Sequence, residues 1–294
     1  MKKYRICDLT IEFDFDERFI HERFDTFECD PSLDTDIVFE LKEGGFVYPE
    51  GLELSQNGSF RVGQLDGNIY VHYEIPDNPD YYAVRTIVYE KNGKKISYYI
   101  RNNFSDWESE EATQVLRKYL FLFFREALFN AVRMVGGISI HSASVIYKEK
   151  GIVFSAPAQT GKSTHSNMWE KNFGTPVLDG DITVCRIIGG VPYIYGLPWA
   201  GTSGKLINRR VELAAVVFLE QRPENVISVP QGLEAFSRLY SRSFSPRWLP
   251  FQVEKDIENT NAVLESGARF YVLGCKPEIE AANLMKAKID SDIE

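Results

Sequence analysis

The stretch Ser155-Ala-Pro-Ala-Gln-Thr-Gly-Lys-Ser-Thr164 carries the residue types and spacing best suited to chemistry. It follows the apolar run Gly151-Ile-Val-Phe154 and opens into a segment, residues 162–171, that reads as a helix. Strand, small-residue turn, Lys-Ser and helix is the order that a phosphate-cradling loop requires. Successive backbone N–H groups in such a loop curl around an anion, and the positive end of the helix faces it. The expected anion-binding residues are Ala156, Gln159, Thr160, Gly161, Lys162, Ser163 and Thr164. Lys162 would reach the outer phosphates of a nucleotide, and the Ser163 hydroxyl would sit on Mg²⁺. Ala156 stands where the pattern has its first Gly, so the match is to the relaxed form. Ala tolerates a tight turn less well than Gly, but it still leaves room for a phosphate.

A second constellation follows. Pro176-Val-Leu178 reads as a short strand that runs straight into Asp179-Gly180-Asp181. Carboxylate oxygens at the end of a strand suit Mg²⁺, a hard cation that takes carboxylates, waters and phosphates. Standing alone, Asp-Gly-Asp reads as a hairpin turn; beside a phosphate loop, metal binding or general-base work is the better expectation. His141 lies in an expected strand, Ile138-Ser-Ile-His-Ser-Ala-Ser-Val-Ile-Tyr147. It could orient one of the carboxylates or donate to a phosphate oxygen, or it could be a core histidine bonded to backbone. The loop Gly196-Leu-Pro-Trp-Ala-Gly-Thr-Ser-Gly-Lys205 is rich in Gly and hydroxyls. Such a loop can close over phosphates or serve as a surface connection. Lys205 and Arg209 would add positive charge, and His165 is expected on the surface of the loop's helix.

The elements that must position these groups alternate strand and helix. Lys148-Glu-Lys-Gly151 is a turn, so the strand bearing His141 and the strand entering the phosphate loop form an expected antiparallel pair. A hairpin is expected over 182–195, a buried strand over 213–219, helices over 231–242, 255–266 and 277–288, and a strand over 269–274. Upstream, residues 1–105 read as short alternating strands (4–13, 59–62, 68–75, 83–89 and 95–100) with Asn92-Gly93 as a hairpin turn. This part is rich in Tyr and Phe and shows no recognisable chemistry; His21 and His72 read as strand-face or surface histidines. Ser105 or Ser109 would cap a long helix ending near Val135, stopped by Gly136-Gly137. The expected division is an N-terminal β-rich domain, 1–105, and a phosphate-loop domain, 106–294.

The formal net charge of -9 argues against wholesale nucleic-acid binding, which wants a basic surface. A phosphate loop makes its own local field, so acidity does not exclude a nucleotide. The four cysteines lack Cys-x-x-Cys spacing, which argues against a zinc site or disulfide framework. Asp8, Glu12 and Asp14 follow the basic start without an apolar block, which argues against a signal peptide. The most apolar helical stretch, 116–134, contains Arg117, Lys118, Arg125, Glu126 and Arg133, which argues for a core helix over a membrane span. A cytoplasmic protein is expected, and Asn57-Gly-Ser59 and Asn103-Phe-Ser105 are chance glycosylation patterns.

His141, the loop from Ala156 to Thr164 and Asp179-Gly-Asp181 together resemble the HPr kinase/phosphorylase superfamily, more closely its HPr-kinase-like branch that includes kinases of modified peptides. The resemblance covers about residues 137 to 290. It implies an α/β fold with a mixed sheet, an HPr-kinase/phosphoenolpyruvate-carboxykinase-like phosphate-loop core. It implies ATP and Mg²⁺ as cofactors and transfer of the γ-phosphoryl group to a hydroxyl, a serine of a protein or peptide. Lys162 and Ser163 would serve the phosphates and Mg²⁺, with His141 near the phosphate. Asp179 and Asp181 would divide the roles of base and metal ligand, and which does which stays open because Gly180 splits the pair; the metal ligands are expected to be Ser163 and Asp181. A homo-oligomer is a further expectation from the resemblance. The chain departs from the family in its missing first Gly and in lacking the Arg-Gly segment used for phosphorolysis. Two other functions fit the same residues: nucleotide binding without transfer, and hydrolysis or phosphorylation of a small molecule such as free serine.

Overall fold

The computed structural model describes residues 2–58, 60–73, 84–100, 103–199 and 204–293. It is a mixed α/β protein that divides into two compact units, 1–131 and 132–294. The division falls inside the long helix α1 (Glu110–Met134). The polar stretch around residue 105 marks the start of that helix: the Ser109 hydroxyl accepts the Ala112 N–H at 3.2 Å as its cap.

Among the described residues the first unit holds nine strands: β1 (Lys3–Ile6), β2 (Leu9–Asp14), β3 (Glu28–Cys29), β4 (Ile37–Lys42), β5 (Ser55–Asn57), β6 (Phe60–Leu65), β7 (Asn68–Tyr73), β8 (Val84–Tyr89) and β9 (Lys95–Ile100). They form one sheet in the order β3-β1-β2-β4-β9-β8-β7-β6-β5. The alternation over 4–13 predicts one strand, but Cys7 and Asp8 both take positive φ, 53° and 59°, and the chain turns back there. Two left-handed residues are what a tight two-residue hairpin needs. The alternation continues on both arms, so polarity alone cannot tell the hairpin from a single strand. Asn92-Gly93 turns as expected, with Gly93 at φ 68°. β4 also alternates, with Ile37, Phe39 and Leu41 buried, and is absent from the sequence-based expectation. The sheet's apolar face is aromatic: Phe13, Phe39 and Tyr98 surround Phe124 of α1 with ring centroids 4.8, 5.2 and 5.2 Å away.

The second unit is built on β10 (Gly137–Tyr147). It continues with β11 (Lys150–Ser155), α2 (Lys162–Phe173), β12 (Val177–Asp179), β13 (Ile182–Ile188), β14 (Val191–Tyr195) and β15 (Arg210–Gln221). Then come β16 (Val226–Ser228), α3 (Leu233–Tyr240), α4 (Pro250–Glu265), β17 (Arg269–Cys275) and α5 (Ile279–Ile293). β10 and β11 are the expected antiparallel pair. The path β11-β10-β13-β14-β15 closes on itself, because β11 also pairs in parallel with β15. Ile140, Val153, Cys185, Ile194 and Val216 fill one side of these strands. Phe154, Trp169, Tyr271 and Met285 fill the other, under α2 and α5. α4 starts at Pro250, earlier than the expected 255, because Pro is well suited to the first helical turn. Three of the four cysteines are buried and all four are free thiols. Among the described residues no helix is long and apolar enough to cross a membrane.

Candidate functional site

The loop between β11 and α2 begins at Ser155, whose hydroxyl donates to the His141 carbonyl at 2.9 Å and so ties the loop to β10. Gln159 and Gly161 both take left-handed backbone, φ 61° and 110°. At Gly161 a Cβ would meet nothing within 4 Å, so it is the backbone angle and not space that favours Gly there. Gln159 bears a strain of about 1 kcal/mol or more in the same region, of the kind stored at functional loops. Gly161 is also the N-cap of α2 and provides no side-chain acceptor to its first turn. The first backbone N–H groups of a helix lack intrahelical partners, and here they lie beside the exposed Ser163 and Thr164.

Lys162 arcs back over the loop. Its ammonium donates to the Ala156 carbonyl at 3.1 Å and the Pro157 carbonyl at 3.3 Å, and the residue is buried. Burial pushes its pKa down, with Asp181 opposing and Arg242 adding to the fall.

The two carboxylates of Asp179-Gly-Asp181 are separated by the fold. Asp179 is fully buried at the end of β12. One carboxylate oxygen, Oδ1, accepts the N–H groups of Asp181 at 2.9 Å and Ile182 at 3.2 Å, and the other, Oδ2, accepts that of Leu197 at 3.2 Å. Burial pushes its pKa up to about 8 against the pull of those three donors. Next to Leu197, a Cβ on Gly196 would sit 1.9 Å from the Ile207 carbonyl oxygen, so only Gly fits this crossing. Asp179 therefore pins the turn into β13 to the segment leaving β14. Asp181 keeps its side chain 34% exposed, and its Oδ1 lies 3.9 Å from Nε2 of His141. The register that opposes His141 to Ile182 across β10 and β13 sets this proximity. Burial comes first in holding the His141 pKa below its usual range, with Lys162 and Arg242 adding to it and Asp181 opposing.

Arg242 is absent from the sequence-based expectation. It follows α3, its carbonyl accepts the His141 N–H at 2.9 Å, and its charge acts on both His141 and Lys162. Only the pairing of 242–244 with β10 brings it there; the N–H of Phe244 donates to the Ser139 carbonyl at 2.9 Å. No local motif around Arg242 signals that position.

Other expected residues fall elsewhere. His165 is buried, not on the surface: it lies edge-on to Phe154 with centroids 4.8 Å apart, and burial pushes its pKa down to about 4. It shares a helix face with the buried Trp169, four residues on, and that face packs on the sheet. Lys205 pairs with Glu170 and Arg209 with Glu149. Residues 200–203 of the Gly-rich loop lie outside the described residues.

Among the described residues no three His, Cys, Asp or Glu side chains gather as a ready-made metal cage. The donors at hand, the exposed Ser163 hydroxyl and the partly exposed Asp181 carboxylate, are hard oxygens. They fit Mg²⁺, which keeps several waters and leans on few protein ligands.

Fold and site together describe a mixed α/β protein bearing a strand–loop–helix element of the kind that receives anions. No family model matches the chain, and no curated protein matches it. Among solved structures it is similar to the HPr(Ser) kinase/phosphatase from Coxiella burnetii at 13% identity, with 43% of this chain and 98% of that one covered and a TM-score of 0.25. A TM-score of that size is no basis for a shared activity.

Proposed function

We propose that the chain is an ATP-dependent phosphotransferase that moves the γ-phosphoryl group to a hydroxyl, a serine of a protein or peptide. The observation that carries this reading is the convergence of Lys162, His141, Asp181 and Arg242 beside an uncapped helix N-terminus. Phosphoryl transfer is largely positioning and charge neutralisation, and these groups supply both. Backbone N–H groups from Gln159 to Ser163 hold the β-phosphate. Lys162 exchanges its two loop carbonyls for phosphate oxygens, and Arg242 adds a second positive charge. The Ser163 hydroxyl and the Asp181 carboxylate would hold Mg²⁺, directly or through water. When bound, the ion neutralises charge on the phosphates. Asp181 accepts the proton of the attacking hydroxyl. His141 stays neutral and orients that carboxylate. Asp179 is a positioning residue that keeps the turn bearing Asp181 in place.

The experiment is transfer from γ-labelled ATP with Mg²⁺ to serine-containing peptides, a folded protein acceptor and free serine. Label on a serine of peptide or protein supports the proposal. Nucleotide binding with no transfer to any of the three overturns it in favour of a binding module.

A further inference from the structure

The first unit carries a second constellation that the phosphate loop does not use. A cavity of about 330 Å³ opens beside the segment following β4, with Gly44, Phe46, Tyr48, His72, Arg85 and Thr86 in its wall. His72 on β7 and Thr86 on β8 are directly opposed. The Tyr48 hydroxyl lies 2.5 Å from Nδ1 of His72 and 3.4 Å from Oγ1 of Thr86, and those two atoms are 3.3 Å apart. Three polar atoms thus form a triangle at the cavity. The Phe46 ring is clamped edge-on by Tyr48 and Tyr99, at centroid distances of 4.9 and 4.7 Å. Arg85 is exposed and makes no ion pair among the described residues. The carboxylate of Glu40, on β4, is paired with Lys42 at 2.9 Å and Lys95 at 3.4 Å. At Gly44 a Cβ would meet nothing within 4 Å, so the wall is open there.

We propose that this cavity binds a small organic carboxylate with an apolar body the size of one amino-acid residue. Its volume is at the small end for ligand pockets, and a few convergent polar groups on an apolar wall are their usual lining. The Arg85 guanidinium takes the carboxylate, since its planar fork matches that group. The hydroxyls of Tyr48 and Thr86 orient it, and the Phe46 ring packs on the apolar body. A cluster built for stability alone would pair Arg85 with an acid; among the described residues none pairs with it at this cavity. The same chemistry is offered by a free acid or by the C-terminal residue of a peptide. This site goes beyond the nucleotide reading and does not depend on it.

The chain has four histidines, so their Cε1–H signals can be followed one by one in the full-length protein. N-acetylphenylalanine is expected to shift the His72 signal saturably and to leave those of His141 and His165 in place. Its primary amide, which lacks the charge, is expected to bind at least about 10-fold more weakly, as is the acid to Arg85→Gln, because a hydrogen bond to a charged group is lost in each. Arg85 is exposed, and unchanged His141 and His165 signals would report that the variant is folded. An unmoved His72 signal at millimolar acid overturns the proposal. So does equal binding of the amide, or full binding by Arg85→Gln. Given binding of the acid, Gly-Gly-Phe identifies the source: equal affinity assigns a peptide terminus, and a large loss assigns a free acid.

Discussion

Nε2 of His141, on β10, stands 3.9 Å from Oδ1 of Asp181, in the turn that enters β13, and the charge of Lys162 acts on both. The pair is an ion pair only when the imidazole is protonated. Burial, Lys162 and Arg242 all disfavour that form, so His141 is neutral at pH 7. Its titration, followed by NMR, is expected to have a midpoint below 6.5 in the wild type. In Lys162→Ala the midpoint should rise, because a nearby positive charge is gone. A midpoint that ignores Lys162 would mean that the two side chains are too far apart to share a phosphate.

Lys162→Ala removes the one ammonium that the loop buries. Calorimetry should show Mg²⁺-dependent ATP binding by the wild type and none, or far weaker binding, by the variant. Any transfer that remains should be down by about 10²–10³, the usual loss when one preorganised electrostatic group is deleted. Wild-type-like transfer by Lys162→Ala would sink the assignment of the loop.

The two aspartates should behave oppositely. Asp181 is partly exposed, so Asp181→Asn should change unfolding free energy by no more than about 0.5 kcal/mol. It should cut transfer by about 10²–10⁴, the scale of general-base catalysis. Asp179→Asn puts an amide where three backbone donors converge, and no orientation of it accepts all three. It should cost about 1–3 kcal/mol in a urea titration. A stable, inactive Asp179→Asn would return the base role to Asp179.

Glu126 predicts a pH effect in the first unit. It accepts the Tyr73 hydroxyl at 3.2 Å, and burial raises its pKa from 4.5 to about 7. Below pH 4.5 it is protonated whether folded or unfolded. Between 4.5 and about 7 the unfolded chain releases the proton first, so stability falls as pH rises through that window and then levels off. Glu126→Gln should flatten this part of the stability–pH curve measured by denaturant unfolding. An unchanged slope would mean that the carboxyl is solvated.

His165 predicts the reverse in the second unit. Its folded pKa of about 4 lies below the usual 6.5, so the unfolded chain takes up a proton first on acidification. Stability contributed by neutral His165 is complete above pH 6.5 and is lost as pH falls toward 4. His165→Phe should remove that loss, and equal acid sensitivity in the variant would refute the assignment.

The local elements of the second unit were legible in the chain because each rests on nearby residues. The strand–turn–helix pattern around Lys162 and the Lys148–Gly151 turn are local codes for backbone angle and helix start. The continuous apolar run in β15 declared a buried strand without reference to any partner. Polarity alternation, by contrast, is blind to a two-residue hairpin, so β1 and β2 read as one strand in the sequence, and only the positive φ of Cys7 and Asp8 separates them. Long-range contacts decided the rest. Asp179 and Asp181 are alike as letters, and only the segments meeting around β12 and β13 bury one and expose the other. Arg242 reaches the site because the chain after α3 pairs with β10, through the bridge between Ile140 and Ser243. His165 is inside because its helix face, shared with Trp169, packs on β11. Residue type and spacing determine what a group can do; which groups meet, and which lose their water, is set by packing between segments far apart in the chain.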